Sequence, residues 1–109
     1  ASVQLAPGVQ VLAQAYISAD SRIGFGSLIN AGAVVSHDGR LGQVVNLSPG
    51  ALLAGRVTVE DYAQVGMGAT INMDITIGRR ARVGNGATVK ADVPPETVVW
   101  AGTTWPMRP

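Results

Sequence analysis

The chain has 109 residues, a formal net charge of +1 and no cysteine, which bounds it to one domain with little length for a two-layer core and no disulfide framework or cysteine zinc site. Its near-neutral balance, with arginines scattered along the chain, excludes a polyanion-binding surface, so no nucleic-acid partner is expected. No apolar run approaches the length that crosses a bilayer and no signal-peptide pattern opens the sequence, so a cytoplasmic protein without membrane contact is expected.

Fourteen glycines beside 47% hydrophobic residues indicate a backbone that turns often and regularly. From the amino end onward an aliphatic residue stands at every sixth position: Leu5, Val11, Ile17, Ile23, Ile29, Val35, Leu41, Leu47, Leu53, Val59, Val65, Ile71, Ile77, Val83 and Val89. Four residues after these come small or β-branched residues, among them Ala15, Ser21, Ser27, Ala33, Ala51, Ala63, Ala69, Ala81 and Ala87, with Ile75 the one large member. A period of six suits neither a 3.6-residue helix nor plain alternation. It predicts short strands joined by tight corners, with two residues of each hexad pointing inward.

The corner residue, three after each aliphatic, tells how many hexads close a coil. One column reads Gln14, Gly32, Gly50, Gly68, Gly86; another reads Asp20, Asp38, Arg56, Asp74, Asp92. Glycine and aspartate tolerate the left-handed backbone of a sharp corner, and they sort at a spacing of 18. Three hexads therefore make one coil of an all-β triangular prism, about five coils stacked about 4.8 Å apart. The β-helix is expected over 1–94, where Pro94 and Pro95 end the repeat, and a cap over 95–109 in which Val98, Val99, Trp100 and Trp105 fold across the last coil. No cap is legible at the amino end, so a longer parent chain is expected there. Periodicity gives no hand, and the general preference for right-handed crossovers would point away from a left-handed winding.

His37 is the sole histidine and lies two residues after Val35 in Ser36-His37-Asp38-Gly39, near a corner and pointing outward. A lone histidine is more often structural or merely exposed than catalytic, but its neighbours change the weighing. Gly55 follows 18 residues later, leaving room and an approachable backbone N–H beside the imidazole. Tyr16, Val34 and Leu52 stack into an outward apolar column, which either needs a partner subunit to cover it or is scattered surface apolar residue. Asp38 has two readings as well, as a corner residue and as the partner of His37. Arg56, stacked between Asp38 and Asp74, is expected to balance both.

The run Ile29-Asn30-Ala31-Gly32-Ala33-Val34-Val35-Ser36-His37-Asp38, followed by Leu41-Gly42, Ser48-Pro49-Gly50-Ala51 and Lys90-Ala91-Asp92-Val93-Pro94-Pro95, resembles the bacterial sialic-acid O-acetyltransferase and nucleotide-amino-sugar N-acetyltransferase family. Proteins of that family are hexapeptide-repeat solenoids, so the resemblance, which covers roughly residues 5 to 94, implies a left-handed parallel β-helix. It also implies acetyl-CoA as co-substrate, a small-molecule sugar acceptor, a homotrimer, no metal, and a nucleotide-sugar-binding domain ahead of the solenoid. On this resemblance His37 is the general base and Asp38 raises its basicity. Gly55 holds the thioester carbonyl through its N–H, coenzyme A runs past Asn46, Met67 and Asn85, and Asn30 stands on the acceptor side. Two departures are plain. Asn46 stands where many relatives carry a second histidine, and Gly102-Thr103-Thr104-Trp105-Pro106-Met107-Arg108 replaces the usual ending. Arg79, Arg80, Arg82 and Lys90 either meet the coenzyme A phosphates or are solvated charge.

The expected function is acetyl transfer between two bound substrates without a covalent enzyme intermediate, since no cysteine exists and no serine pairs clearly with His37. A zinc-dependent anhydrase on the same prism needs three histidine ligands, which one histidine per chain does not supply. An ice-binding face needs long threonine ladders, and only Thr58 with Thr76 and Thr70 with Thr88 stack. A non-catalytic structural or interaction module stands as the alternative. Whether nitrogen or oxygen accepts the acetyl group, and on which sugar, is not written in the sequence.

Overall fold

The computed structural model describes residues 2–107; Ala1, Arg108 and Pro109, at the outer ends of the two expected segments, lie outside the described residues. Seventeen two-residue strands form three parallel sheets and no helix occurs among the described residues. The first sheet stacks Gln4–Leu5, Arg22–Ile23, Arg40–Leu41, Thr58–Val59 and Thr76–Ile77. The second stacks Gln10–Val11, Leu28–Ile29, Asn46–Leu47, Gln64–Val65, Arg82–Val83 and Val98–Val99; the third stacks Tyr16–Ile17, Val34–Val35, Leu52–Leu53, Thr70–Ile71, Thr88–Val89 and Thr104–Trp105. Partners stand 18 residues apart, as in Val35 with Leu53 and Ile29 with Leu47, so three hexads close each coil. The chain is a left-handed parallel β-helix with principal extents of 42 × 23 × 21 Å.

Each strand holds one outward and one inward residue. Nine of the inward aliphatics, from Ile29 through Val35, Leu47, Leu53, Val59, Val65, Ile71 and Ile77 to Val89, are fully buried. Burial of each contributes about 1.5–3 kcal/mol, so the axial column, not a layered core, holds the fold together. The second inward position, beside the corner, is filled mostly by small residues, among them Ala33, Ala51, Ala63, Ala69, Ala81 and Ala87, with Val45, Val57 and Ile75 its larger buried members. Where serine takes that place its hydroxyl is put to use. Ser21 Oγ accepts the Gly39 N–H and donates to the Ser36 carbonyl, each at 3.0 Å, while Ser27 Oγ accepts the Val45 N–H at 3.0 Å and donates to the Gly42 carbonyl at 2.9 Å.

Corners fall three residues after the inward aliphatics, at positive φ everywhere from Gly8 to Gly86, as the sequence leads one to expect for the glycine and aspartate columns. The remaining column was not legible as a corner from composition: Val44, Tyr62 and Arg80 adopt φ of 50°, 64° and 60°. Their N–H groups are pinned to the carbonyls of Phe25, Gln43 and Asp61 one coil back, and this tertiary bonding overrides residue preference. Val44 bears the largest penalty, being β-branched in the left-handed region.

The solenoid also continues beyond Pro94. The spacing shortens from 18 to 16 for the last coil, pairing Arg82 with Val98, Thr88 with Thr104 and Ile77 with Val93. The expected division at residue 94 is thereby moved: Val98 and Val99 extend the second sheet, and the third sheet runs on to Trp105, so the prism approaches six coils where five were expected. Asp92 is the casualty of the shortening. It does not take the positive φ of its column, and its Oδ1 instead accepts the Thr76 N–H at 2.8 Å. Trp105, half-buried against the core, closes this end and donates its indole N–H to the Asp92 carbonyl at 3.0 Å.

Candidate active site

His37 stands on the edge where the third sheet turns into the first. The inward Val35 and Gly39 lock the ends of the corner, Asp38 takes φ of 58°, and its N–H is tied to the Ala19 carbonyl at 3.0 Å. Adjacent side chains at such a corner are brought onto one side, and His37 Nδ1 lies 3.0 Å from Asp38 Oδ2, both groups about half exposed. Donation from Nδ1 to the carboxylate leaves the lone pair on Nε2.

The other side of the ring rests on Gly55 of the next coil. A Cβ built on Gly55 would fall onto His37 Nε2, with Cε1 at 2.7 Å and Cδ2 at 3.1 Å, so glycine is the residue that admits the imidazole. Gly55 is itself buried, and its N–H meets no acceptor among the described residues. At the equivalent place in four other hexads the residue is exposed and its N–H is capped: Ala31 by Asn30 Oδ1 at 2.7 Å, Gln43 by Asp61 Oδ1 at 2.8 Å, Met67 by Asn85 Oδ1 at 2.9 Å and Arg79 by Glu60 Oε1 at 3.1 Å. The N–H of Gly55, the residue packed against the imidazole, is left uncapped.

Arg56, next along the corner column, departs from the expected role of balancing two aspartates. Its Nε and Nη2 lie 2.5 and 3.0 Å from the two carboxylate oxygens of Asp74, a two-pronged pair. The hydrogen bond from Arg56 holds the Asp74 carboxyl below its ordinary range, and the same bond from Asp74 raises the guanidinium further. Asp38 is left to His37.

The remaining sequence-predicted residues lie elsewhere on the prism. Asn46 is exposed on the outer face of the second sheet between Leu28 and Gln64. Asn30, Met67 and Asn85 line the edge between the second and third sheets, and Asn85 folds back so that a Cβ on Gly66 would meet its Oδ1 at 2.6 Å. Beside it a groove of about 390 Å³ is walled by Gly66, Arg82, Asn85 and Trp100. Of the expected basic cluster, Arg80 stacks 4.7 Å over the Tyr62 ring and Arg79 faces a different groove, leaving Arg82 at this one. One chain thus assembles His37, Asp38 and Gly55 but holds Asn30, Met67 and Asn85 a full face away. Between the two edges lies the outer face of the third sheet, with Tyr16 and Leu52 exposed and Val34 half-buried. The backbone caps from Asp61 and Asn85 escaped the sequence reading. Their signal is a glycine one residue after an inward aliphatic and an Asx 19 residues later, as in Gly42 with Asp61 and Gly66 with Asn85.

Among the described residues no three acidic or histidine side chains converge to hold a metal ion, and no helix is long and apolar enough to cross a membrane.

The architecture is shared with solved structures. Perosamine N-acetyltransferase from Caulobacter crescentus, in complex with CoA and GDP-perosamine and with one histidine replaced by asparagine, superposes with a TM-score of 0.81 at 38% identity over 91% of this chain and 50% of its own. The chain is similar to the solenoid half of sugar N-acetyltransferases. The acetyltransferase domain of PglB from Neisseria gonorrhoeae, in complex with acetyl coenzyme A, gives a TM-score of 0.83 at 29% identity over 93% of this chain and 52% of that one. WeeI from Acinetobacter baumannii gives 0.87 at 30% identity, covering 89% and 48%. This chain therefore spans about half the length of the structures it matches. No family model and no curated protein matches it.

Proposed function

We propose that this solenoid is the catalytic part of a cytoplasmic transferase that moves the acetyl group of acetyl-CoA onto the amine of a nucleotide-linked amino sugar. The uncapped N–H of Gly55, the glycine packed against His37 Nε2, is the observation that carries the reading. A base and an N–H donor sharing one patch is what acyl transfer needs, the first for the attacking amine and the second for the carbonyl oxygen on which negative charge gathers. The similar structures supply the substrate class, since their complexes hold CoA, acetyl coenzyme A and GDP-perosamine.

His37 Nε2 takes the proton of the amine as its nitrogen bonds to the thioester carbon, and Asp38 at Nδ1 steadies the imidazolium that results. Gly55 donates its N–H to the carbonyl oxygen. As the carbon–sulfur bond breaks, His37 returns the proton to the departing sulfur, so the ring ends neutral and the products are the amide and the free thiol. Acetyl-CoA supplies the activated acyl group; the protein supplies the aim.

Asn30, Met67, Asn85 and the groove beside Arg82 act, on this reading, from a neighbouring copy. A second chain laid against the apolar face of the third sheet brings its own edge toward His37, and three such contacts close a homotrimer with coenzyme A between subunits. Asn46 faces the same channel.

The test is His37→Ala. Its turnover is expected to drop about 10²–10⁴-fold, and a rate within a few-fold of the parent rejects His37 as base. Sedimentation at micromolar concentration checks the assembly, and a monomer carrying full activity rejects the shared site.

A further inference from the structure

Asp20, Asp38, Arg56 and Asp74 follow one another along the corner column, all at positive φ, so Arg56 has a carboxylate on either side. A guanidinium makes one good two-pronged pair at a time, and this one makes it with Asp74, through Nε at 2.5 Å and Nη2 at 3.0 Å. Asp38 stays 3.0 Å from His37 Nδ1. The column thus holds two carboxylates competing for one arginine. A two-pronged arginine pair is stronger and more directional than a single exposed imidazole contact, so a released Arg56 takes Asp38 away from the ring.

We propose that Asp74 is a positioning residue: by occupying the Arg56 fork it leaves Asp38 on His37 Nδ1, which fixes the ring tautomer and keeps the Nε2 lone pair over Gly55. Asp74 does not touch the imidazole in this arrangement, and its influence passes through Arg56 and Asp38. The other charged groups facing this edge are accounted for. Asp20 lies one coil below, Arg22 and Arg40 on the first sheet share a groove with Asp20 and Asp38, and Arg40 is engaged there in donating Nη1–H to the Asp20 carbonyl at 2.6 Å and the Gly39 carbonyl at 3.0 Å. The lowered Asp74 carboxyl, with Arg56 as the largest cause and His37 as a smaller one, belongs to the same cluster. Any consequence for acetyl transfer rests on the function proposed above, whereas the effect on the ring does not.

The experiment uses the single histidine of the chain, whose two ring nitrogens give one tautomer reading in a nitrogen NMR spectrum of the neutral form. Asp74→Asn is the variant of choice because asparagine also tolerates the left-handed corner. The parent is expected to carry its proton on Nδ1 and Asp74→Asn to carry it mainly on Nε2. Arg56→Gln combined with Asp74→Asn is expected to return the proton to Nδ1. Asp38→Gly, which keeps the corner and removes the acceptor, is expected to match Asp74→Asn, and adding Asp74→Asn to Asp38→Gly to change nothing more. An Asp74→Asn ring still protonated on Nδ1 overturns the proposal. So does a further tautomer change in the Asp38→Gly background, which would mean that Asp74 acts on the ring directly. In turnover, Asp74→Asn is expected to lower kcat about tenfold with KM for acetyl-CoA unchanged. A ring that responds as expected with turnover unmoved supports the pairing and counts against the reaction assigned to His37.

Discussion

Replacing Gly55 by alanine adds one methyl group at the point where the fold and the proposed chemistry meet. The backbone tolerates it, since Gly55 is not among the positive-φ residues. The ring does not: the new carbon would fall onto Nε2 and lie 2.7 Å from Cε1 and 3.1 Å from Cδ2, all three far inside contact distance. Carbon atoms pack best at about 3.5–4.0 Å, so the imidazole must retreat by roughly 1 Å. Because the side chain is half exposed, it has solvent to retreat into. Displacing the ring from its rotamer costs about 0.5–1.5 kcal/mol, while alanine for glycine returns about 0.4–1 kcal/mol through the unfolded chain. Stability in urea should therefore change by less than about 1 kcal/mol. Catalysis should not be spared, because a misplacement of about 1 Å costs on the order of 10²-fold in rate. Release of free thiol from acetyl-CoA in the presence of a nucleotide-linked amino sugar measures that rate. A loss under about threefold would refute the use of this contact in the reaction, and a destabilisation of several kcal/mol would make Gly55 a packing residue instead.

Substitutions at Asp38, Val44 and Asp74 separate structure from chemistry. Asp38→Asn and Asp38→Gly both suit the corner and should leave stability within about 0.5 kcal/mol while turnover falls at least tenfold, whereas Asp38→Ala should lose a further ~1 kcal/mol in urea through the left-handed backbone. Val44→Asn should stabilise by about 1 kcal/mol, since the β-branched residue at φ of 50° is relieved; an unchanged urea midpoint would show that the corner is not strained. The Arg56–Asp74 pair has a definite sign in pH. The Asp74 carboxyl is lowered in the folded chain, so its contribution is fully present above the ordinary carboxylate range of about 4 and is lost as pH falls through the lower folded value. Asp74→Asn should lower stability in the neutral region and converge on the parent as pH falls below the ordinary carboxylate range, flattening the acid limb, as followed by urea unfolding between about pH 2 and 7.

The sequence discloses what repeats and conceals what is chosen once. An inward aliphatic every six residues is imposed by fifteen equivalent strands, and burial of the slots from Ile29 to Val89 follows from that ladder alone. The contact between His37 and Gly55 was legible for the same reason, since a spacing of 18 puts one over the other. Spacing is silent on Arg56, because Asp38 and Asp74 stand at equal register distance from it and only side-chain geometry selects between them. It is equally silent on which N–H groups are capped, a matter of where Asn85, Asp61 and Glu60 turn their oxygens.

The two prolines show how a sound local rule misleads in a solenoid. Proline removes an N–H and so ends a ladder that needs one. In each hexad the residue after the inward aliphatic donates to the next coil, as Gly78 does to the Val93 carbonyl, and the residue after that faces outward. Pro94 takes the first place in the last coil of its sheet, where no further strand waits for a donor. Pro95 takes the second place, the one Pro49 occupies mid-solenoid without interrupting anything. Neither proline forfeits a bond the fold uses, so the six-residue rhythm resumes at Val93, Val99 and Trp105, and the chain goes on winding.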